Sequence, residues 1–170
     1  MKGFALLLAF LMLLPPATLQ AEGKFTTIFN RGTWTVFQFA GDAQGGMPSY
    51  CGARSGTKTE FFELIGTETT FCISGEASHW RFRKRKAEVG FFVGGSGFFL
   101  NPGTYFSNGF QYCDKREVVE LMVDSLTLAQ SELGGKTIDF YDHRRRKVGG
   151  FPAPGMKQAV RKWKSCIDSL

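Results

Sequence analysis

Most of the chain alternates between apolar and polar residues with a period of two, which is typical of β-strands that bury one face. In the stretch Thr33–Phe39, rich in β-branched and aromatic residues, Trp34 and Val36 share one face. Further predicted strands lie at Tyr50–Ala53, Thr59–Ile65, Thr69–Ser74, Ser78–Lys84, Val89–Val93, Gly97–Leu100, Thr104–Ser107, Phe110–Cys113, Lys136–Tyr141 and Val148–Phe151. Short strands separated by turn signals predict a mainly β fold, a single-domain antiparallel β-sandwich or partly open barrel.

Two segments have a different pattern. Residues Arg116–Val123 are apolar without clear alternation, and we interpret them as a strand followed by a short helix over residues 124–133. Asp124 is the expected N-cap of that helix and Gly134 its end. An amphipathic helix is predicted near residues 155–167, because apolar residues recur there at helical spacing. Its apolar stripe consists of Met156, Ala159, Val160, Trp163, Cys166 and Ile167.

The start of the chain has the pattern of a secretory signal peptide. Lys2 is followed by the apolar run Phe4–Leu14, then by two prolines and the small residue Ala21 at a suitable cleavage position. This run is well short of the ~20 residues that span a bilayer. We therefore predict a signal peptide at residues 1–21, a single β-rich domain at residues 22–170, no transmembrane span, and a periplasmic or secreted location.

The chain has four cysteines and no C-x-x-C unit. An even number of cysteines in an exported chain predicts two disulfides, and three pairings remain open. The 18 phenylalanines fit a fold in which aromatic rings fill the space between sheet faces.

No catalytic, cofactor or metal site is predicted. Ser55–Lys58 matches an S-x-x-K pattern but lies between strands and lacks its companion motifs. Gly134–Thr137 and Gly94–Gly97 resemble parts of a P-loop and of a nucleophile turn, and each lacks a required glycine. The two histidines, His79 and His143, have no sequence partner that predicts a triad.

Positive charge is the feature that stands out, with a formal net charge of +6. More than half of the Lys and Arg residues fall in three clusters. The candidate contact residues are Arg81, Arg83, Arg85, Arg144, Arg145, Arg146, Lys147, Arg161 and Lys162. Such a surface attracts anions, here an anionic envelope lipid or glycan or an acidic protein, whereas export disfavours nucleic acid. The alternative is three separate solvated faces.

The order of these features resembles a loose group of small periplasmic proteins of alphaproteobacteria, similar to the invasion-associated locus B proteins. The shared features are an early W-x-V strand at Trp34–Val36, a cysteine strand at Cys51–Ala53, and a helix and strand within Leu126–Tyr141. The last shared feature is a strand that leads into a helix, which begins at a glycine and ends near Cys166.

The resemblance implies a non-enzymatic β-rich envelope protein, with some members linked to host-cell invasion. It also implies that Cys51 pairs with Cys166, which leaves Cys72 to pair with Cys113. This chain departs from the group in its heavier basic clusters and in Ala153, where a larger apolar residue is usual.

We therefore expect an exported non-enzymatic protein that binds an anionic ligand or partner through its basic clusters. The alternatives are an envelope hydrolase with an unrecognised site and an inhibitor or chaperone-like module that docks through an exposed aromatic patch. The sequence leaves the oligomeric state open.

Overall fold

The computed structural model describes residues 24–41, 48–80, 88–106 and 108–170. Within them the strands are β1 Lys24–Arg31, β2 Trp34–Ala40, β3 Tyr50–Gly56, β4 Phe61–Gly66, β5 Phe71–Glu76, β6 Val89–Val93, β7 Ser96–Leu100, β8 Thr104–Tyr105, β9 Gly109–Asp114, β10 Thr137–Tyr141 and β11 Lys147–Pro152. The helices are α1 Arg116–Leu133 and α2 Met156–Ile167. The predicted signal peptide lies outside the described residues.

The strands form two antiparallel sheets, which confirms the predicted mainly β architecture. One sheet has seven strands in the order β1-β2-β3-β4-β5-β9-β8, and the other has four in the order β11-β10-β6-β7. The sequence pattern did not predict β1, because almost all of its residues are exposed and show no alternation.

The inner face of the seven-stranded sheet is defined by its register. One row crosses the sheet through Trp34, Ser55, Phe62, Gly75 and Phe110, which lie opposite one another on adjacent strands. All three aromatic side chains in this row are fully buried. The alternation in β2 therefore predicted the buried face correctly.

The four-stranded sheet covers one end of this inner face through aromatic contacts. Phe140 on β10 lies 5.9 Å from Phe62, and Phe91 on β6 lies 5.8 Å from Phe110, between ring centroids. The hydroxyl of Ser55 donates to the carbonyl of Pro152 at 2.9 Å and ties β3 to β11. These contacts close the aromatic half of the sandwich.

Helix α2 covers the other end, and its apolar stripe faces the sheet as predicted. Trp163 is fully buried, and its Nε1 donates to the carbonyl of Cys51 at 3.1 Å. Its ring lies 6.1 Å from that of Phe71. Cys166, on the same stripe, is disulfide-bonded to Cys51.

The second disulfide joins Cys72 and Cys113, which lie directly opposite each other on β5 and β9. The four cysteines thus form the two pairs that the resemblance implied.

The predicted strand at Arg116–Val123 is wrong, because α1 begins at Arg116 and continues through the predicted helix. Asp124 therefore lies inside α1, and Lys115 is the N-cap. The helix ends at Gly134 as predicted, with φ of 65°. Its buried residues, Val119, Val123, Leu126 and Ala129, have the helical spacing that identifies one continuous element.

The predicted strand at Ser78–Lys84 is also wrong in its described part. Residues 77–80 form a turn that is closed by the N–H of Trp80, which donates to the carbonyl of Ala77 at 2.9 Å. The remainder of that stretch lies outside the described residues.

Candidate functional site

An open groove runs between α1 and α2 on the surface of the helical layer. It has a volume of about 650 Å³ and is lined by Lys157, Arg161 and Lys164 of α2 and by Asp124 of α1. A second hollow of about 420 Å³ shares Lys157 and adds Arg31 from the end of β1. We refer to these two adjoining hollows, with their shared residues Lys157 and Gln158, as the α2 furrow.

The acidic side chains in and beside the furrow are each engaged by a cation. Lys164 Nζ lies 2.9 Å from Asp124 and 3.6 Å from Glu120. Arg116 lies 2.6 Å from Asp168 and 2.7 Å from Glu120. These carboxylates bind the two helices to each other.

Two cations of the furrow have no acidic partner among the described residues. Within the described part of the chain, Lys157 and Arg161 form no ion pair, and both are exposed. They are separated by four residues on α2, which places one side chain above the other along the helix. Arg31 Nη1 donates to Gln158 Oε1 at 3.1 Å and adds a third positive group.

The start of α2 strengthens the positive potential. Gly155 is its N-cap with φ of 93°, and the first turn contains no acidic residue. The N-terminal end of a helix has a partial positive charge from its unpaired backbone N–H groups. Lys157 lies in this first turn, where the N–H groups of Met156 and Gln158 already donate to the carbonyls of Ala153 and Gly155. The helix dipole therefore adds to the positive potential, and the side chains supply the contacts to an anion.

The third predicted cluster thus contributes to the furrow, but only in part. Arg161 lines it, whereas Lys162 is exposed and is not one of the lining residues. Lys157 and Arg31 are not among the candidates predicted from the sequence. The four-residue spacing of Lys157 from Arg161 was a signal in the sequence that both lie on one side of a helix. The approach of Arg31 to α2 depends on the fold.

The second predicted cluster lies in the turn between β10 and β11, where two of its cations are paired. Arg146 lies 2.7 Å from Asp142, and Lys147 lies 2.8 Å from Asp139. The Asp142 carboxylate also accepts the backbone N–H groups of Arg144 and Arg146. These contacts assign a structural role to most of this cluster.

The same turn lies away from α2. It precedes β11, whereas α2 follows that six-residue strand, so about 20 Å of extended chain separates them at roughly 3.3 Å per residue. Arg145 stacks on Phe99 with its guanidinium 4.6 Å from the ring centroid. The second and third clusters therefore lie at opposite ends of β11, while Arg81, Arg83 and Arg85 lie outside the described residues.

Of the residues considered for catalysis, Ser55 and His79 contact backbone carbonyls and His143 is exposed. Next to His79, Ser78 donates its hydroxyl to Glu60, and this hydrogen bond lowers the pKa of that carboxyl. His79 Nε2 lies 3.2 Å from the carbonyl of Val148, and His143 is exposed in the β10–β11 turn. Ser55 is fully buried and donates a hydrogen bond to the carbonyl of Pro152. It therefore has a structural role at the position that matches the S-x-x-K pattern.

Among the described residues, no cluster of His, Cys, Asp or Glu has the arrangement of a metal site. In the same part of the chain, neither helix is long and apolar enough to cross a membrane. Comparisons with family models, with curated proteins and with solved structures found no match to this chain.

Proposed function

We propose that this protein is an exported, non-enzymatic envelope protein that binds an anionic ligand in the α2 furrow. The observation that supports this most directly is the uncompensated pair Lys157 and Arg161 in the groove between the helices. Nearby carboxylates already have partners, so an anion that enters the furrow meets net positive charge.

The chemistry of the two side chains favours a phosphate group. Arg presents a planar fork that matches phosphate oxygens, and Lys adds a compact charge with rotatable donors. Gln158 accepts from Arg31 through its amide oxygen, so its amide N–H groups are oriented to donate to a ligand. The proposed ligand class is therefore a phosphorylated headgroup, which an envelope lipid supplies.

Location outside the cytoplasm is part of this proposal. Its support is the predicted signal peptide together with two disulfides, which persist in oxidising compartments. The resemblance to the invasion-associated locus B proteins agrees with an envelope location and suggests a role in host interaction.

The test is sedimentation of the mature chain with phosphatidylglycerol vesicles, with neutral phosphatidylcholine vesicles as reference. Binding should decrease steeply as salt is raised. The double variant Lys157→Gln/Arg161→Gln should bind roughly 30-fold more weakly, since each cation near an anionic surface contributes about 1 kcal/mol.

A matched control removes the same charge elsewhere. Lys162→Gln/Arg144→Gln also loses two exposed cations, neither of which lines the furrow. This control should retain most of the binding. Equal loss in both double variants means that net charge alone controls binding, and the furrow is then not the site.

A further inference from the structure

A cluster of aromatic rings lies on the outer face of the seven-stranded sheet, away from both helices. Phe25, Phe37, Phe39 and Tyr50 contact one another with ring centroids 4.9 to 6.4 Å apart. Phe25 is 61% exposed. We call these four residues the outer aromatic platform.

Phe37 lies over a glycine on the neighbouring strand. It is paired in register with Gly52, and a Cβ at Gly52 would be 2.2 Å from the end of the Phe37 ring. The ring therefore leans across β3 and forms a flat wall. A larger residue at position 52 would push the ring away from the sheet.

Arg54 continues this surface in a fixed position. Its guanidinium lies 4.4 Å from the centroid of Phe61 and 5.8 Å from that of Phe37. Nε and Nη2 both lie within 3.0 Å of Glu63 Oε1, and Glu63 is only 5% exposed. Arg54 Nη1 has no hydrogen bond to any described residue, so it can donate outward.

These groups surround a pocket of about 300 Å³. Phe37 forms its apolar wall, Lys58 supplies a cation that is unpaired among the described residues, and Thr35 adds a hydroxyl. Arg54 presents an outward N–H, and its charge is shared with Glu63. Lys58 lies in the β3–β4 turn, is exposed, and has no ion pair among the described residues. The volume is at the lower end of the about 300–1,000 Å³ that is usual for small-molecule sites.

We infer that this pocket binds an acidic sugar residue of a glycan, a second ligand site that is independent of the α2 furrow. A pyranose ring has an apolar C–H face that can stack on Phe37 and hydroxyls within reach of Thr35. Its carboxylate matches the outward N–H of Arg54 and the charge of Lys58. An acidic peptide offers the charge without the flat apolar face, and a vesicle surface is too broad for this concavity.

The two sites are on opposite sides of one sheet. Phe37 alternates with Val36 along β2, and Val36 faces the helices and the core. A ligand in the pocket is therefore separated from α2 by the thickness of the sheet. Failure of one proposal leaves the other intact.

The test is calorimetric titration of the mature chain with trigalacturonate, with neutral galactotriose and triglutamate as comparison ligands. Trigalacturonate should bind with a dissociation constant below about 1 mM, and the other two should bind at least about tenfold more weakly. Lys58→Gln should weaken binding about two- to fivefold, as expected for one exposed charge. Phe37→Leu should weaken it by about fivefold or more through loss of the flat ring.

The control is Lys157→Gln/Arg161→Gln, which should leave trigalacturonate binding unchanged. Lys58 is an exposed turn residue, so its variant tests the site even if Phe37→Leu is unstable. The inference is overturned if trigalacturonate does not bind, or if Lys58→Gln binds it as tightly as the native chain. Equal binding of galactotriose contradicts the charge contact, and equal binding of triglutamate identifies a peptide surface instead.

Discussion

Two of the three buried tryptophans, Trp34 and Trp163, differ in what their indole N–H groups contact. The N–H of Trp163 donates to the carbonyl of Cys51 and links α2 to β3. That of Trp34 is buried without a hydrogen-bond partner in the described part of the chain. A buried donor without a partner costs free energy, whereas the Trp163 bond satisfies both groups.

Phenylalanine substitution separates these two cases. Trp163→Phe removes a buried hydrogen bond between α2 and β3, whereas Trp34→Phe removes a donor that has no partner among the described residues. We expect Trp163→Phe to lower the free energy of unfolding by about 1–3 kcal/mol more than Trp34→Phe. Urea unfolding of both variants measures this difference, and a larger loss for Trp34→Phe would contradict it.

At the scale of elements, α1 and α2 show how far periodicity can be used. The stripe on α2 spans the whole helix and was recognised, and its Cys166 bonds to Cys51. In α1 the buried residues are only four of 18, and exposed Leu121 and Leu128 blur the pattern. Asp124 resembled an N-cap because Asp is a preferred capping residue. In the structure it lies inside α1 and forms an ion pair with Lys164.

The two disulfides should differ in how much they stabilise the fold. Cys51–Cys166 closes a loop of 115 residues and Cys72–Cys113 one of 41. Chain entropy predicts losses of about 5 and about 4 kcal/mol for the two Cys→Ala double variants. Chemical denaturation of each variant measures the free energy of unfolding.

Amide hydrogen exchange of α2 distinguishes the roles of the two disulfides. Loss of Cys51–Cys166 should speed amide exchange in α2, because that bond attaches the helix to β3. Loss of Cys72–Cys113 should leave α2 protected, since both of its cysteines lie in strands. Equal exchange of α2 in the two variants would show that the disulfide does not hold the helix.

At the scale of the whole molecule, the sheet separates the charged surfaces. The α2 furrow and the pocket lined by Arg54 and Lys58 lie on opposite sides of the seven-stranded sheet, and the β10–β11 turn lies at a third position. The described basic residues therefore do not form one continuous patch. The net charge predicted attraction to anions, but not the place at which an anion would be held.

The pH dependence of global stability should reflect two carboxyls with opposite shifts. Burial raises the pKa of Glu63 above 4.5, although Arg54 opposes the shift. A raised pKa in the folded state means that this contribution to stability is lost as pH rises through the folded pKa. Relative to the native protein, Glu63→Gln should therefore gain in free energy of unfolding as pH rises above the ordinary range of a glutamate carboxyl.

Glu60→Gln is the matched control, and its free energy of unfolding relative to the native protein should change with pH in the opposite direction. Hydrogen bonds from Ser78 lower the pKa of Glu60, so its contribution is present above the unfolded pKa and is lost as pH falls. Relative to the native protein, this variant should lose stability as pH rises from below to above the ordinary range of a glutamate carboxyl. Urea titrations across the range measure both trends, and trends of the same sign would contradict the assignment.

The sequence by itself determined the class of structure and the buried faces of its clearest elements. Alternation in β2 and the stripe on α2 identified Trp34 and Trp163 as core residues, because burial of one face imposes a period on the chain. It also indicated disulfides, since an even number of cysteines follows a predicted signal peptide.

Tertiary structure alone decided strand order, the partner of each charge and the position of the pockets. Periodicity records which face of an element is buried, but it contains no information about which distant element covers that face. Lys157 and Arg161 became a candidate site because the nearby acids pair with other cations. Phe37 became the wall of a pocket because the register places it over Gly52. Both outcomes depend on residues that meet only after the chain has folded.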